Sequence, residues 1–227
     1  MELKLDPAST ALLVVDMQND FCHPDGYYAQ ASGELSPLGI DPGLVQKSIG
    51  PMRSLLDAAR QAGLFVVHTQ IIREPDVDQH YVVHDVVPST FRAISGIERP
   101  PALIGGTWGA KTHENLEPVS QEYVVEKRSF SSFYGTDLEI VLRRRGIRTV
   151  VIAGTVTYAC VLHTAFDANV RDFDVIVSTD GSATWKADLQ EPALKIVELI
   201  LGQTASIGEL IEALAIADAT RIEEVIR

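Results

Sequence analysis

The sequence predicts a three-layer α/β/α fold around a central, mostly parallel six-stranded sheet, and two observations carry that expectation. Short, continuous apolar runs such as residues 11–15 have the pattern of parallel strands buried on both faces. Between them lie stretches whose apolar residues recur at helical spacing, so strand and helix patterns alternate along the chain. Repeated βα alternation calls for a parallel sheet covered by helices on both sides. A length of 227 residues suits one large domain with a sizeable core, and residues 1–227 are read as that single domain.

Residues 11–15 form the first strand, which stops at Asp16. Val45, Ile49, Met52, Leu55, Leu56 and Ala59 then share one helical face, and Gly63 ends that helix. Residues 64–69 read as the second strand and 123–126 as the third. Thr136, Asp137, Leu138 and Glu139 have the order of a capping box that opens a helix through Arg145, with Gly146 just beyond. Residues 149–153 are the fourth strand, followed by Leu162, Ala165, Phe166 and Val170 at helical spacing. A fifth strand at 174–178, a helix at 191–201, a short sixth strand and a helix at 206–217 complete the series. Residues 73–121 break the pattern with Pro75, Pro88, Pro100, Pro101, Pro118 and the pair Gly105-Gly106. Phe91, Ile94, Leu103, Ile104 and Trp108 make this insertion too apolar for a solvated loop, so a lid, a subunit interface or both are expected.

Composition removes several function classes. With 19 basic and 31 acidic residues the formal net charge is −12, and the isoelectric point is near 4.9. Nothing obvious would neutralise phosphates, so neither nucleic acid nor an anionic membrane is an expected partner. The start of the chain has no apolar core of a secretory signal, and no apolar run is long enough to span a bilayer. A cytoplasmic protein with reduced thiols is the expectation. Cys22 and Cys160 are the two cysteines, too few for a disulfide framework or a four-sulfur zinc site.

Ligands of open parallel sheets bind beyond the carboxyl ends of the strands. Asp16 follows the first strand, Lys127 follows the third, and Cys160 follows the fourth at a helix start. Each has an ordinary reading by itself: a loop-capping carboxylate, a surface lysine, a small buried thiol. Their coincidence at one end of one sheet favours chemistry. A thiol in the first turn of a helix feels the positive end of the dipole, and a neighbouring lysine would lower its pKa further, so an activated thiolate is expected at Cys160.

At these positions the chain resembles a known family. Val14-Val15-Asp16-Met17-Gln18-Asn19-Asp20-Phe21 resembles the opening motif of the isochorismatase-like cysteine hydrolases. The stretch from Glu126-Lys127-Arg128-Ser129-Phe130 to Tyr134-Gly135-Thr136-Asp137-Leu138 resembles their lysine motif, and Ala153-Gly154-Thr155-Val156-Thr157-Tyr158-Ala159-Cys160-Val161 their nucleophile turn. The motifs come in family order, and the resemblance spans about residues 10–212. It points to the branch containing N-carbamoylsarcosine, ureidoacrylate and biuret amidohydrolases, and implies a Rossmann-like fold. It also implies Cys160 as nucleophile, Asp16 as general base and later acid, and Lys127 as the cation holding both. A cis peptide at Thr155–Val156 is implied too, with the N–H groups of Val156 and Cys160 as the oxyanion hole. A homodimer or homotetramer and no cofactor are expected. Where relatives that bind a metal carry Asp-x-His, this chain has His68-Thr69-Gln70, so no metal is implied.

Phe21, Gln70, Phe133, Tyr134, Thr157 and Tyr158 are candidate substrate-binding residues by position, with Trp108 as a lid. No unambiguous cationic clamp for a substrate carboxylate stands out, and Arg73, Arg92 and Arg128 are the candidates for one. His80 and His84 have the spacing of a helical metal pair, but Tyr81-Val82-Val83 between them favours strand. His163 reads as a helix residue rather than a partner of Cys160, and Cys22 as a structural thiol. Arg143-Arg144-Arg145 reads as a solvated helix end. No glycine-rich phosphate loop and no Gly-x-Ser-x-Gly is present. The resulting expectation is a metal-independent hydrolase of a C–N bond in a small amide, N-carbamoyl or ureido compound, acting through a thioester. The alternatives are an isochorismatase-type vinyl-ether hydrolase and a non-catalytic binding protein on the same fold.

Overall fold

The structure, a computed structural model, describes residues 3–73 and 102–226. Most of the insertion, with Arg92 and the His80/His84 pair, lies outside the described residues. Six strands form one parallel sheet: β1 (Thr10–Val15), β2 (Phe65–Ile71), β3 (Tyr123–Lys127), β4 (Thr149–Thr155), β5 (Asp174–Ala183) and β6 (Gln203–Ala205). Their order across the sheet is β3-β2-β1-β4-β5-β6, so the direction of winding reverses between β1 and β4. That reversal opens the crevice where α/β proteins bind ligands.

Helix α1 (Ile49–Ala62) buries Met52, Leu55, Leu56 and Ala59 against one face of the sheet. Gly63, at φ 75°, ends it in the left-handed conformation that glycine adopts without a Cβ clash. Val45 belongs to a separate one-turn helix, Gly43–Gln46, because the chain breaks before Ile49. The opposite face carries α2 (Leu138–Arg144), α3 (Leu162–Asn169) and α4 (Ala187–Ile196), whose last turn widens at Val197–Leu201. Helix α5 (Ile207–Ile226) returns to pack beside α1.

Several boundaries differ from expectation for physical reasons. β2 runs on to Ile71, because the Gln18 side chain bonds both the N–H and the C=O of that residue. β5 continues to Ala183 through a polar stretch, since Ser182 and Ala183 pair with Gly154 and Thr155 after a register shift. The capping box at Thr136 does not form. The Thr136 hydroxyl accepts from the N–H of Leu138, but Glu139 instead pairs with Arg171 at 3.1 Å. Phe166 and Val170 keep helical spacing yet face outward, at 39% and 69% exposure.

A partly buried ionic lock fastens α1 to the sheet. Arg60 donates to both carboxylate oxygens of Glu122, at 2.7 and 2.9 Å, and His68 Nε2 donates to the same carboxylate at 2.8 Å. Burial opposes ionisation of Glu122, but these hydrogen bonds and one from the Val119 N–H hold its pKa down to about 2. A carboxyl depressed in the folded state stabilises above its unfolded pKa, and that contribution is lost as pH falls through the folded value. Urea titrations of the wild type are therefore expected to show stability falling from about pH 4.5 towards pH 2, and Glu122→Gln to flatten that limb; an unchanged slope in the variant contradicts the assignment.

Candidate active site

Each reactive side chain sits at a strand exit for a local reason. Asp16 is the first residue past β1 and has φ 50°, the left-handed region that aspartate tolerates better than most residues. The turn it makes is closed by the Gln18 N–H on the Asp16 carbonyl at 2.8 Å. Lys127 ends β3, two strands away from β1, a lateral gap of about 10 Å at the usual strand spacing. Its long stem spans that gap, bringing Nζ to 2.7 Å from Asp16 Oδ2, with both side chains fully buried. Thr69, between them on β2, donates its hydroxyl to Asp16 Oδ1 at 2.6 Å. Lys127 Nζ also donates to the carbonyls of Ser129 at 3.1 Å and Phe130 at 2.7 Å. A buried ammonium needs such partners to stay charged.

Cys160 arrives from β4. The chain passes Gly154, whose φ of 134° and closeness to β1 exclude a side chain: a Cβ there would lie 2.1 Å from the Val15 carbonyl oxygen. The Thr155–Val156 peptide that follows is cis. A wide turn over Thr157–Val161 then leads into α3 and sets the Cys160 sulfur where both Asp16 and Lys127 act on its titration. The Val156 carbonyl accepts from the N–H groups of Ala159 and Val161, on either side of Cys160.

The electrostatics correct one expectation. Cys160 is not a ready thiolate: burial, only partly offset by Lys127 and reinforced by Asp16, pushes its pKa up to about 12. Burial would lower Lys127, but Asp16 and the Cys160 sulfur more than offset it, so its pKa is raised. Lys127 thus pairs directly with Asp16 at 2.7 Å, and the dry surroundings of the Cys160 sulfur disfavour its thiolate. Alkylation of Cys160 by iodoacetamide is accordingly expected to be slow at pH 7 and to keep rising past pH 9; fast labelling at neutral pH contradicts this.

The structure separates the substrate-binding candidates. Thr157 lies in the Cys160 turn, and Tyr158 beside it is half-buried, its hydroxyl pushed up to about 12 by burial, Asp188, Tyr28 and Cys160. Phe21 is buried against Tyr28 and Trp185, with ring centroids 5.3 and 5.4 Å away. Gln70 turns the other way: strand alternation sends Thr69 to Asp16, and Gln70 donates to the Thr112 hydroxyl at 2.9 Å. Phe133 packs into the core on Phe173, and Tyr134 beside it is 71% exposed. Trp108, 48% exposed, packs edge-on against His23. Phe133 shares a buried apolar cluster with Cys160. Arg73 and Cys160 both act electrostatically on Tyr28. Arg128 is exposed. His163 lies on the outer face of α3 with Nδ1 at the Ala159 carbonyl, and Cys22 is fully buried, its pKa raised by burial and Asp16. Among the described residues no three His, Cys, Asp or Glu side chains gather in an arrangement that could hold a metal, and no helix is long and apolar enough to cross a membrane.

The remaining polar residues of the first motif clasp the insertion to the site. Gln18 Nε2 donates to the carbonyls of Ile71 and Ala110, and Asn19 Nδ2 to that of Trp108. Asp20 accepts from the N–H groups of Tyr27 and Leu103. Sequence reasoning missed Thr69, Tyr28 and Trp185. Pairing of the first two strands would have found Thr69, since Val15 and Thr69 are register partners.

Comparison with known proteins sets this geometry in context. Residues 10–209 match the model of the isochorismatase domain. A ureidoacrylate amidohydrolase, RutB, from Methylorubrum extorquens is 33% identical, over 97% of this chain and 88% of its own length. A crystal structure of a cysteine hydrolase from Pseudomonas syringae pv. phaseolicola superposes with a TM-score of 0.77 at 26% identity, covering 95% of this chain and 97% of that one. N-carbamoylsarcosine amidase from Thermoplasma acidophilum gives a TM-score of 0.66 at 29% identity, covering 88% and 96%.

Proposed function

The chain belongs to the isochorismatase family, and on that premise we propose that it is a metal-independent cysteine amidohydrolase that cleaves a C–N bond in a small amide, N-carbamoyl or ureido compound. The observation that carries this reading is the buried junction of Asp16, Lys127 and Cys160 at the switch point of the sheet. The amidohydrolases among the similar proteins support the choice of bond.

The reaction runs through this chain's own groups. As the sulfur of Cys160 attacks the carbonyl carbon, Asp16 takes the thiol proton, so a high thiol pKa in the resting site is no obstacle. Lys127 stays protonated and stabilises the charge that moves between carboxylate and sulfur. The new oxyanion is received by the N–H groups of Val156 and Cys160, the latter left out of the bonds to the Val156 carbonyl. Collapse breaks the C–N bond, and Asp16 returns the proton to the departing nitrogen. A water then loses a proton to Asp16 and adds to the thioester; the C–S bond breaks, and the sulfur recovers its proton.

The test is a panel of amides, N-carbamoyl amino acids and ureido acids assayed for release of ammonia or amine, run beside isochorismate assayed for pyruvate. C–N hydrolysis is the expected result; pyruvate release without any C–N hydrolysis overturns the reading.

A further inference from the structure

Trp185 lies two residues past the end of β5 and has no role in the chemistry above. Its ring centroid is 4.5 Å from that of Tyr28 and 5.4 Å from that of Phe21, and those two rings stack at 5.3 Å with an interplanar angle of 18°. Phe21 and Tyr28 are buried, whereas Trp185 is half-buried, so it forms the accessible end of the aromatic wall. The wall stands next to the nucleophile. Tyr28 and Tyr158 both interact electrostatically with Cys160, and α4, which starts just after Trp185, packs on the Cys160 turn.

The wall contains an unmet donor. Trp185 Nε1 is buried with no hydrogen-bond partner among the described residues, and the buried hydroxyls of Thr155 and Thr157 at the neighbouring strand exit are unmet as well. An indole N–H can only donate, and a buried donor without an acceptor bears its whole desolvation penalty. Unpaired buried polar atoms are few in native proteins, so several at one strand exit need a common explanation. An acceptor brought by a bound ligand supplies one. Arg73, which acts on both Tyr27 and Tyr28, adds positive charge on the same side.

We propose, resting on the amidohydrolase reading, that Trp185 is a specificity-determining residue: its indole N–H receives a carboxylate oxygen at the non-reacting end of a ureido acid, while its ring and that of Tyr28 hold this end in place.

Binding is tested apart from turnover by calorimetry on Cys160→Ala with 3-ureidopropionate and propylurea, which differ in the carboxylate. The ureido acid is expected to bind at least about tenfold more tightly. Adding Trp185→Phe, which keeps a ring and removes the donor, is expected to erase most of that preference and leave the Kd of propylurea unchanged. Trp185→His, which restores a donor, is expected to recover part of it. The proposal is overturned if 3-ureidopropionate does not bind, if the preference survives Trp185→Phe, or if both ligands weaken in parallel, as a packing role alone would produce. Failure of the amidohydrolase reading shows differently, as wild-type protein that binds with this preference but releases no ammonia.

Discussion

Cys160→Ala is expected to lose turnover by more than about 10⁴-fold in kcat while keeping its fold, because the variant has no atom that can form the C–S bond. Removing a buried sulfur of this size costs the core little beside what it costs the chemistry. Cys22→Ala provides the contrast: the side chain is equally buried and lies near Asp16, yet it takes no part in the junction. Its kcat is expected to stay within a few-fold of wild type. Initial rates of ammonia release for both variants, with circular dichroism to confirm folding, decide the matter. Retained turnover in Cys160→Ala removes the covalent mechanism.

Lys127→Met is expected to destabilise the protein by about 3–5 kcal/mol as well as inactivating it. Methionine fills much of the same volume, so the loss is not chiefly a cavity effect. The variant leaves the Asp16 carboxylate at the centre of the sheet without its countercharge, and an uncompensated buried charge is costly. The Nζ contacts to the Ser129 and Phe130 carbonyls disappear with it, releasing the loop after β3. Adding Asp16→Asn removes the stranded charge, so the double variant is expected to regain a large part of the lost stability but none of the activity. Urea unfolding of the wild type, both single variants and the double variant gives the coupling. A double variant no more stable than Lys127→Met contradicts the buried ion pair as the cause.

Much of this architecture is legible in the sequence because parallel strands buried on both faces must be apolar throughout. Residues 11–15 and 149–153 could be little else, and Asp16 is conspicuous as the charge that stops the first run. The end of β5 was illegible for the converse reason. Asp180, Gly181 and Ser182 look like a turn, and only pairing with the end of β4 keeps them in the sheet. With that strand cut short at Ser178, Trp185 is no longer anchored just past a strand end, and its proximity to Tyr28 cannot be seen. Gln70 shows the limit of reasoning from sequence position: a one-residue shift along a strand changes the face a side chain meets, so Thr69 reaches Asp16 and Gln70 does not. The aromatics after Lys127 divide by burial, with Phe133 in the core and Tyr134 in solvent, a distinction that composition does not encode. The electrostatic state of Cys160 was the hardest to foresee. A helix start and a lysine both favour thiolate, but the lysine's charge is already committed to Asp16 and the sulfur is dry.

The central claim is that the substrate's carbonyl carbon passes through a covalent bond to Cys160. Acid quenching during steady-state hydrolysis, followed by peptide mass spectrometry, tests it directly. The account predicts an acyl adduct on the peptide containing Cys160, equal to the substrate less its departing amine and absent from the peptide containing Cys22. Continued release of ammonia with no adduct on Cys160, in wild type and in a slowly deacylating Asp16→Asn background alike, would contradict it.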